Sequence, residues 1–130
     1  MAKYLNYHDI MPSILLGAKS KEEIPELDEY LKYGPVFSAT DDGSCGEPGF
    51  VSQHSILKNK FSKIYTCGPE PMMKAIAKIA QEQNIDCEVS LENTMACGFG
   101  VCLCCVTPTH DGHKCVCTEG PVFNSKELKW

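Results

Sequence analysis

The spacing of the cysteines in the last third of the chain constrains its fold more than any other feature. Six of the nine cysteines lie between positions 97 and 117. Cys97, Cys102 and Cys105 have the spacing C-x4-C-x2-C, and further cysteines follow after a longer gap. Plant-type ferredoxins bind a 2Fe-2S cluster with this spacing. A tight loop then places thiolates on one side of the cluster and a distant cysteine closes the other, so the pattern predicts a 2Fe-2S site.

Zinc is the main alternative, since four thiolates in a tetrahedron also suit Zn²⁺. Zinc sites usually use paired C-x2-C units, and in this motif only Cys102 and Cys105 have that spacing. Gly98 and Gly100 let backbone N–H groups approach the sulfides of a cluster, which favours iron–sulfur binding. A third alternative is a set of thiols that bind no metal.

Two cysteines of the cluster region are surplus to a four-ligand site. Cys104 breaks the C-x2-C register and should point away from the iron. Cys115 lies two residues before Cys117, and spacing alone does not choose between these two as the fourth ligand.

Charge and hydropathy exclude several classes of partner. The formal net charge of -5 disfavours nucleic acid, because phosphate binding needs a basic face. Residues 1–14 show no basic segment followed by a long apolar stretch, so no signal peptide is expected. No run of about 18 apolar residues is present, so no membrane span is expected. The predicted setting is a reducing cytoplasm, in which clustered cysteines bind metal or react rather than form disulfides.

The first 91 residues alternate short apolar runs with helical patterns. Strand–helix alternation predicts parallel strands joined by right-handed crossovers. The predicted fold class is therefore α/β, with a partial doubly wound parallel sheet followed by a small, loop-rich cysteine cluster module. We predict a lobe over residues 1–91 and a cluster-binding module over residues 92–130. Predicted strands lie at 14–18, 36–40, 63–67 and 87–91, and predicted helices at 51–60 and 71–83.

Two loops that follow predicted strands are candidate ligand sites, because open α/β sheets bind ligands at the carboxyl ends of their strands. A helix that begins beside such a loop favours an anion. By composition alone, both loops are also consistent with ordinary strand–turn joints. The candidate cofactor-binding residues are Thr40, Asp41, Asp42, Gly43 and Ser44 in the first loop and Cys67, Gly68, Pro69, Glu70 and Met72 in the second.

The chain resembles the electron-transfer subunits of NAD-dependent dihydroorotate dehydrogenases, which belong to the ferredoxin-reductase-like flavoproteins. The resemblance runs from about residue 14 to residue 123. The stretches that carry it are Leu15-Leu16-Gly17-Ala18-Lys19-Ser20, Thr40-Asp41-Asp42-Gly43-Ser44, Cys67-Gly68-Pro69-Glu70-Pro71-Met72, Ser90-Leu91-Glu92, Met95-Ala96-Cys97-Gly98 and Cys117-Thr118-Glu119-Gly120-Pro121-Val122-Phe123.

The resemblance implies a path for electrons and a ligand set. It implies that Cys117 is the fourth ligand of the 2Fe-2S cluster, beside Cys97, Cys102 and Cys105. In the family, FAD exchanges a hydride with NAD and single electrons with the cluster. The cluster in turn communicates with the FMN of a separate dihydroorotate dehydrogenase catalytic subunit in pyrimidine biosynthesis. The two strand-end loops would then line the nicotinamide and flavin site of the complete protein, and Asp41 and Asp42 would favour NAD over NADP.

Other readings are kept beside this one. Reductase subunits that act with NAD(P)H and ferredoxin, sulfide or hydrogenase carry similar motifs. In the subunits that act with NAD(P)H and ferredoxin, an aspartate tends to occupy the position of Cys97. The cysteine found here therefore favours the dihydroorotate dehydrogenase family. A non-catalytic ferredoxin-like carrier or a zinc-stabilised interaction module is an alternative of a different class.

We predict that the 130-residue chain alone does not reduce dyes or ferredoxins with NADH. The family begins with a flavin-binding β-barrel that has no counterpart here, and residues 1–13 contain no glycine. Hydride transfer needs a flavin held beside the nicotinamide. Steady-state NADH–dye assays of the purified chain test the expectation, which robust turnover without an added flavoprotein would refute.

Overall fold

The computed structural model describes residues 1–24 and 27–130. No helix in these described ranges is both long enough and apolar enough to cross a bilayer. The helices are α1 (Ala2–Tyr7), α2 (Leu27–Tyr30), α3 (Glu70–Glu82) and α4 (Val116–Glu119), with 3-10 turns at Lys21–Glu23, Val51–Gln53 and Ser55–Lys58. The strands are β1 (Ile14–Ala18), β2 (Val36–Thr40), β3 (Glu47–Pro48), β4 (Lys63–Cys67), β5 (Asp86–Ser90), β6 (Val106–Thr109), β7 (Gly112–Cys115) and β8 (Val122–Asn124).

The chain forms two compact units, residues 1–59 and residues 60–130. In the first unit, β1 and β2 pair in parallel, from Ile14 opposite Val36 to Ala18 opposite Thr40. The short strand β3 adds to the other side of β2, also in parallel. Both long strands have the bounds predicted from their apolar runs.

The predicted helix over residues 51–60 is wrong. Two 3-10 turns occupy this stretch, and His54 between them has an extended backbone, with φ of -61° and ψ of 137°. The Nδ1 atom of His54 accepts a hydrogen bond of 3.0 Å from the N–H of Ile56. This side-chain cap starts a new turn and prevents one helix from running through the segment.

In the second unit, β4 and β5 pair in parallel and α3 contacts both strands. Helix α3 follows Pro69 and carries Pro71 in its first turn, where the missing N–H costs nothing. Its buried residues recur at helical spacing and face the sheet; they are Met73, Ile76, Ala77 and Ala80. Val89 of β5 is fully buried. This helix and the β4–β5 pair form the core of the second unit.

Strand β8 completes the sheet of the second unit. It pairs antiparallel with β5, with Phe123 opposite Val89 and Val122 opposite Ser90. The α/β class with parallel strand pairs is confirmed, although the described strands form separate small sheets. The division between a lobe and a module at residue 91 stays a prediction.

A two-stranded hairpin precedes β8. Strands β6 and β7 pair from Val106 opposite Cys115 to Thr109 opposite Gly112. His110 and Asp111 therefore form a two-residue loop, and Gly112 has a φ of +112°. Glycine adopts this backbone conformation, directly after the turn, at no steric cost. The register of this hairpin fixes which residues meet beyond its open end.

We predict that Val89→Ala lowers the free energy of unfolding by about 2 kcal/mol, because it leaves a cavity at a fully buried site in the middle strand of the sheet. Urea denaturation of the cluster-loaded chain measures this loss. The matched control is Val122→Ala on the adjacent strand, where the side chain is 47% exposed and the loss should stay below about 1 kcal/mol. Equal losses at the two positions would contradict the proposed packing.

Candidate metal centre

The β6–β7 hairpin brings two distant cysteines together. Cys105 immediately precedes β6, and Cys117 lies two residues after β7. The N–H of Val116 donates a 3.1 Å hydrogen bond to the carbonyl oxygen of Cys105, which continues the ladder one step beyond the open end of the hairpin. The N–H of Cys117 then reaches the sulfur of Cys105 at 3.4 Å. Two residues 12 apart in sequence thus become neighbours.

The loop of residues 97–105, the cysteine loop, pairs the other two predicted ligands. The N–H of Cys102 lies 3.5 Å from the sulfur of Cys97. Gly98 and Gly100 have φ of +75° and +84°, which glycine adopts at no steric cost. Backbone N–H groups, that of Cys102 first and then those of Phe99 and Val101, lower the pKa of Cys97 to about 6.

The two thiols of the second pair have pKa values that shift in opposite directions. The N–H of Cys117 and then its thiol lower the pKa of Cys105. The pKa of Cys117 is raised, first because its thiol hydrogen-bonds with Cys105 and then by desolvation. A Cys117 thiol that donates to a Cys105 thiolate accounts for both directions. Backbone N–H groups aimed at cysteine sulfurs are what an anionic cluster requires.

The thiols are arranged two by two rather than around one point. Cys97 pairs with Cys102, and Cys105 pairs with Cys117. Among the described residues, no three His, Cys, Asp or Glu side chains are close enough together to hold a single metal ion. A tetrahedral zinc needs four donors on one centre, whereas each iron of a 2Fe-2S cluster takes two cysteines. The paired donor set therefore fits a two-iron cluster.

The surplus cysteines have different surroundings. Cys104 is exposed, and its N–H lies 3.4 Å from the sulfur of Cys102. The pKa of Cys115 is raised by partial burial first, and then by the nearby Cys105 and Glu119. Glu119 also accepts a 2.7 Å hydrogen bond from the N–H of Cys115.

The loop of residues 67–72, the strand-end loop, is linked to the cysteine loop by two consecutive residues. The sulfur of Cys67 lies 3.3 Å from a carboxylate oxygen of Glu92. The pKa of Cys67 is raised, mainly by desolvation and then by this carboxylate. The amide of Asn93 donates a 3.3 Å hydrogen bond to the carbonyl oxygen of Cys105. Sequence reasoning missed this link, and the position of Glu92 and Asn93 just after β5 was the one available indication.

The start of α3 already carries a carboxylate. Glu70 lies in the first turn of α3, where a negative charge stabilises the positive end of the helix dipole. Its side chain also pairs with Lys74 at 2.7 Å. Gly68 has a φ of +140°, and a Cβ there would lie 2.9 Å from the terminal methyl of Met72. Cofactor binding by Cys67, Gly68, Pro69, Glu70 and Met72 stays a prediction.

The loop after β2 hydrogen-bonds Thr40 and Asp42 to residues of the same loop, and the hydroxyl of Ser44 also accepts a 2.8 Å hydrogen bond from the N–H of Lys21. Asp42 accepts hydrogen bonds from the N–H and the hydroxyl of Ser44, which lower the pKa of Asp42. Buried Thr40 hydrogen-bonds to the backbone N–H and carbonyl of Cys45, each at 3.0 Å. Asp41 is exposed. These contacts shape the turn that includes Gly43, and a cofactor contact there stays a prediction.

Three comparisons relate this chain to known proteins. Residues 92–129 match the family model described as the iron-sulfur cluster binding domain of dihydroorotate dehydrogenase B. A Methanocaldococcus jannaschii protein named probable dihydroorotate dehydrogenase B (NAD(+)), electron transfer subunit, is 47% identical over 120 residues, which cover 89% of this chain and 46% of that protein. The Fusobacterium nucleatum dihydroorotate dehydrogenase B (NAD(+)), electron transfer subunit, is 38% identical over 138 residues, which cover 99% of this chain and 51% of that protein.

A solved structure gives the same relationship in three dimensions. A chain of an NADH-dependent reduced ferredoxin-NADP oxidoreductase, studied for flavin-based electron bifurcation, superposes with a TM-score of 0.86 at 29% sequence identity. The match covers 99% of this chain and 48% of that chain. The present chain thus spans about half the length of the relatives it matches.

We predict that serine replacements divide the cysteines into ligands and non-ligands. Cys97→Ser, Cys102→Ser, Cys105→Ser and Cys117→Ser should each lose most of the cluster, because each removes one of its paired thiolates. Cys104→Ser and Cys115→Ser are matched controls that should retain it. Iron and sulfide content and the visible charge-transfer absorbance report the result. Loss with Cys115→Ser and retention with Cys117→Ser would reverse the assignment.

We also predict that Cys97 reacts faster than Cys115 in the metal-free chain. The pKa of about 6 makes Cys97 a thiolate at neutral pH, whereas the raised pKa of Cys115 keeps it protonated. Alkylation of Cys97 by iodoacetamide should therefore be fast at neutral pH and should slow as the pH falls through about 6. Peptide mapping by mass spectrometry measures both rates, and faster labelling of Cys115 would contradict the geometry.

Proposed function

Because the chain belongs to the family of dihydroorotate dehydrogenase B electron transfer subunits, we propose that it carries electrons through a 2Fe-2S cluster held by Cys97, Cys102, Cys105 and Cys117. The observation that carries the proposal is the arrangement of these thiols in two pairs, each joined by a backbone N–H to sulfur contact. When bound, the cluster supplies a centre that takes up and releases one electron at a time.

The proposed path runs between an FAD and NAD(H) site and the FMN of a dihydroorotate dehydrogenase catalytic subunit, in cytoplasmic pyrimidine biosynthesis. The names of the related proteins support electron transfer within an NAD(+)-dependent dihydroorotate dehydrogenase B. Since the chain spans about half of those proteins, flavin binding is assigned to the longer form. In that form the strand-end loop would contribute to the nucleotide site.

The residues around the thiols have separate roles in this proposal. N–H groups of the cysteine loop stabilise negative charge on sulfur, and such donors tune a reduction potential. Glu119 fixes the N–H of Cys115 at 2.7 Å and so holds the short helix that carries Cys117. Asn93 anchors Cys105 through its carbonyl oxygen. These contacts position the ligands so that little rearrangement accompanies a change of charge.

The contact from Cys67 through Glu92 and Asn93 to Cys105 supports transfer between the nucleotide side and the cluster side. Two hydrogen bonds of 3.3 Å and one peptide bond connect the two loops. A short, continuous set of bonded contacts keeps the loops at a fixed separation. If the two loops hold bound centres, a fixed separation of the loops keeps the electron-transfer distance constant.

The outer face of the cysteine loop supports a protein partner. Phe99, Val101 and Leu103 lie between the ligands and are 67%, 71% and 63% exposed. Exposed apolar side chains grouped in one loop are typical of a protein interaction site. We assign this face to the catalytic subunit, whose docking would exclude water above the cluster.

A second candidate function is electron transfer to ferredoxin or NADP. The similarity to the NADH-dependent ferredoxin-NADP oxidoreductase favours it. Cys97 weighs against it, because reductase subunits that act with NAD(P)H and ferredoxin tend to have an aspartate at the first ligand position. The choice of electron donor that reduces the cluster separates the two functions.

We predict that dihydroorotate reduces the cluster of this chain when a dihydroorotate dehydrogenase B catalytic subunit is present. The cluster-loaded chain and the subunit are mixed without oxygen, dihydroorotate is added, and the visible absorbance of the cluster should bleach. The control without the catalytic subunit should not bleach. Bleaching by reduced ferredoxin alone, with none by dihydroorotate and the subunit, would favour the second function.

Val101→Asp provides a matched test of the docking face within the same assay. A charge at this exposed position should slow bleaching at least about tenfold, since an unpaired charge would be buried on docking. Lys60→Asp lies at an exposed position outside the cysteine loop and should change the rate by less than about twofold. Equal effects of the two variants would refute the assigned face.

A further inference from the structure

A basic cavity in the second unit is separate from the residues discussed so far. Its volume is about 330 Å³, and none of the cysteines or candidate cofactor-binding residues lines it. Lys74, Lys78, Lys126 and His110 lie on its walls, and no aspartate or glutamate lines it. The chain as a whole has a formal net charge of -5. Lys74 is paired with Glu70 at 2.7 Å, so Lys78 and Lys126 supply most of the positive charge of the lining.

The remaining surface of the cavity combines the polar side chains of Gln81 and Ser125 with an apolar part. Ala77 and Leu128 are 6% and 5% exposed, whereas Trp130 is 42% exposed. The ammonium of Lys74 lies 5.8 Å from the ring centroid of Trp130. Because Trp130 is 42% exposed, part of its indole stays available to the ring of a planar ligand. Aromatic rings stack favourably on one another.

The walls are held by backbone hydrogen bonds, so the cavity is formed before any ligand binds. The N–H of His110 donates to the carbonyl of Glu127 at 2.8 Å, and the N–H of Lys129 donates to Pro108 at 3.2 Å. Leu128 forms an isolated β-bridge with Thr109. The opposite wall is one face of α3. A preformed site loses little conformational entropy when it binds.

The lysines keep charge available for a ligand. Lys78 is 76% exposed, and its ammonium lies 4.0 Å from Glu82, at the outer limit of an ion pair. Lys126 is exposed, and its charge acts on Asp86 only as a minor influence on that carboxyl. An anion between Lys78 and Lys126 would therefore not have to break a close ion pair at either residue.

We propose that this cavity binds a small anion that carries a planar ring, the chemistry of a nucleoside monophosphate. Its phosphate would lie among Lys78, Lys126 and His110, and its ring would lie against Trp130. A volume of about 330 Å³ is near the lower end for ligand pockets, which suits a mononucleotide better than a dinucleotide. The proposal is independent of the cluster and of the proposed electron transfer.

Calorimetric titration of the cluster-loaded chain with uridine monophosphate and adenosine monophosphate tests the proposal. Inorganic phosphate and uridine serve as partial probes, because each carries one half of the recognised chemistry. At least one nucleotide should bind about tenfold or more tightly than either partial probe. The chain has one tryptophan, so its indole N–H resonance should shift at saturation.

Variants locate the site. The double variant Lys78→Glu and Lys126→Glu should weaken nucleotide binding at least about tenfold, since charged hydrogen bonds are replaced by repulsion. Trp130→Ala should weaken the nucleotide more than it weakens phosphate. Lys60→Glu is the control at an exposed position that does not line the cavity, and it should change affinity by less than about twofold. Cluster absorbance and the thermal transition of each variant verify that it is folded.

Three outcomes would overturn the proposal. The first is that phosphate binds as tightly as the nucleotides, which would remove the role of the ring. The second is that Lys60→Glu weakens binding as much as the double variant, which would indicate a general charge effect. The third is that neither nucleotide binds, including the case in which an acidic peptide binds instead.

Discussion

The hydrogen bond from the N–H of Val116 to the carbonyl of Cys105 is the contact on which the metal centre depends. It extends the β6–β7 ladder past the open end of the hairpin, and it is 3.1 Å long. Because of it, Cys105 and Cys117 become neighbours although the loop between them is polar and exposed at its tip. The same register gives the N–H of Cys117 to the sulfur of Cys105. A slip of one residue in this hairpin would turn every side chain of the slipped strand to the other face and would separate the pair.

Glu92 and Asn93 connect the strand-end loop of the second unit to its cysteine loop. One side chain contacts Cys67 at the end of β4, and the next contacts Cys105 at the edge of the cysteine loop. Both follow directly after β5, whose Val89 is fully buried. The middle strand of this sheet therefore leads directly into the two residues that contact both loops. Loops positioned by a rigid scaffold are the usual carriers of function.

Local patterns in the sequence were sufficient for much of this structure. The apolar runs predicted β1, β2 and β4 with their observed bounds, and β5 within one residue, because short apolar runs bounded by turns have few alternatives. The family resemblance and the presence of an iron–sulfur cluster binding domain are confirmed. The helix over residues 51–60 was wrong because the Nδ1 cap of His54 depends on a side-chain rotamer that periodicity does not report. The pairing of Cys97 with Cys102 and of Cys105 with Cys117 needed the hairpin register, a non-local property, and the individual ligands stay predictions.

Strand β8 has a consequence for the ancestry of such proteins. Residues 92–129 match a family model of their own, yet Phe123 within them is 4% exposed because it lies opposite Val89 in the sheet. Recombination that moved the cysteine-bearing segment to another gene would leave the apolar side chain of Phe123 without its packing partner. Inheritance of the segment should therefore have kept it beside β5, and chimaeras designed from it need the preceding strand as well as the cysteines.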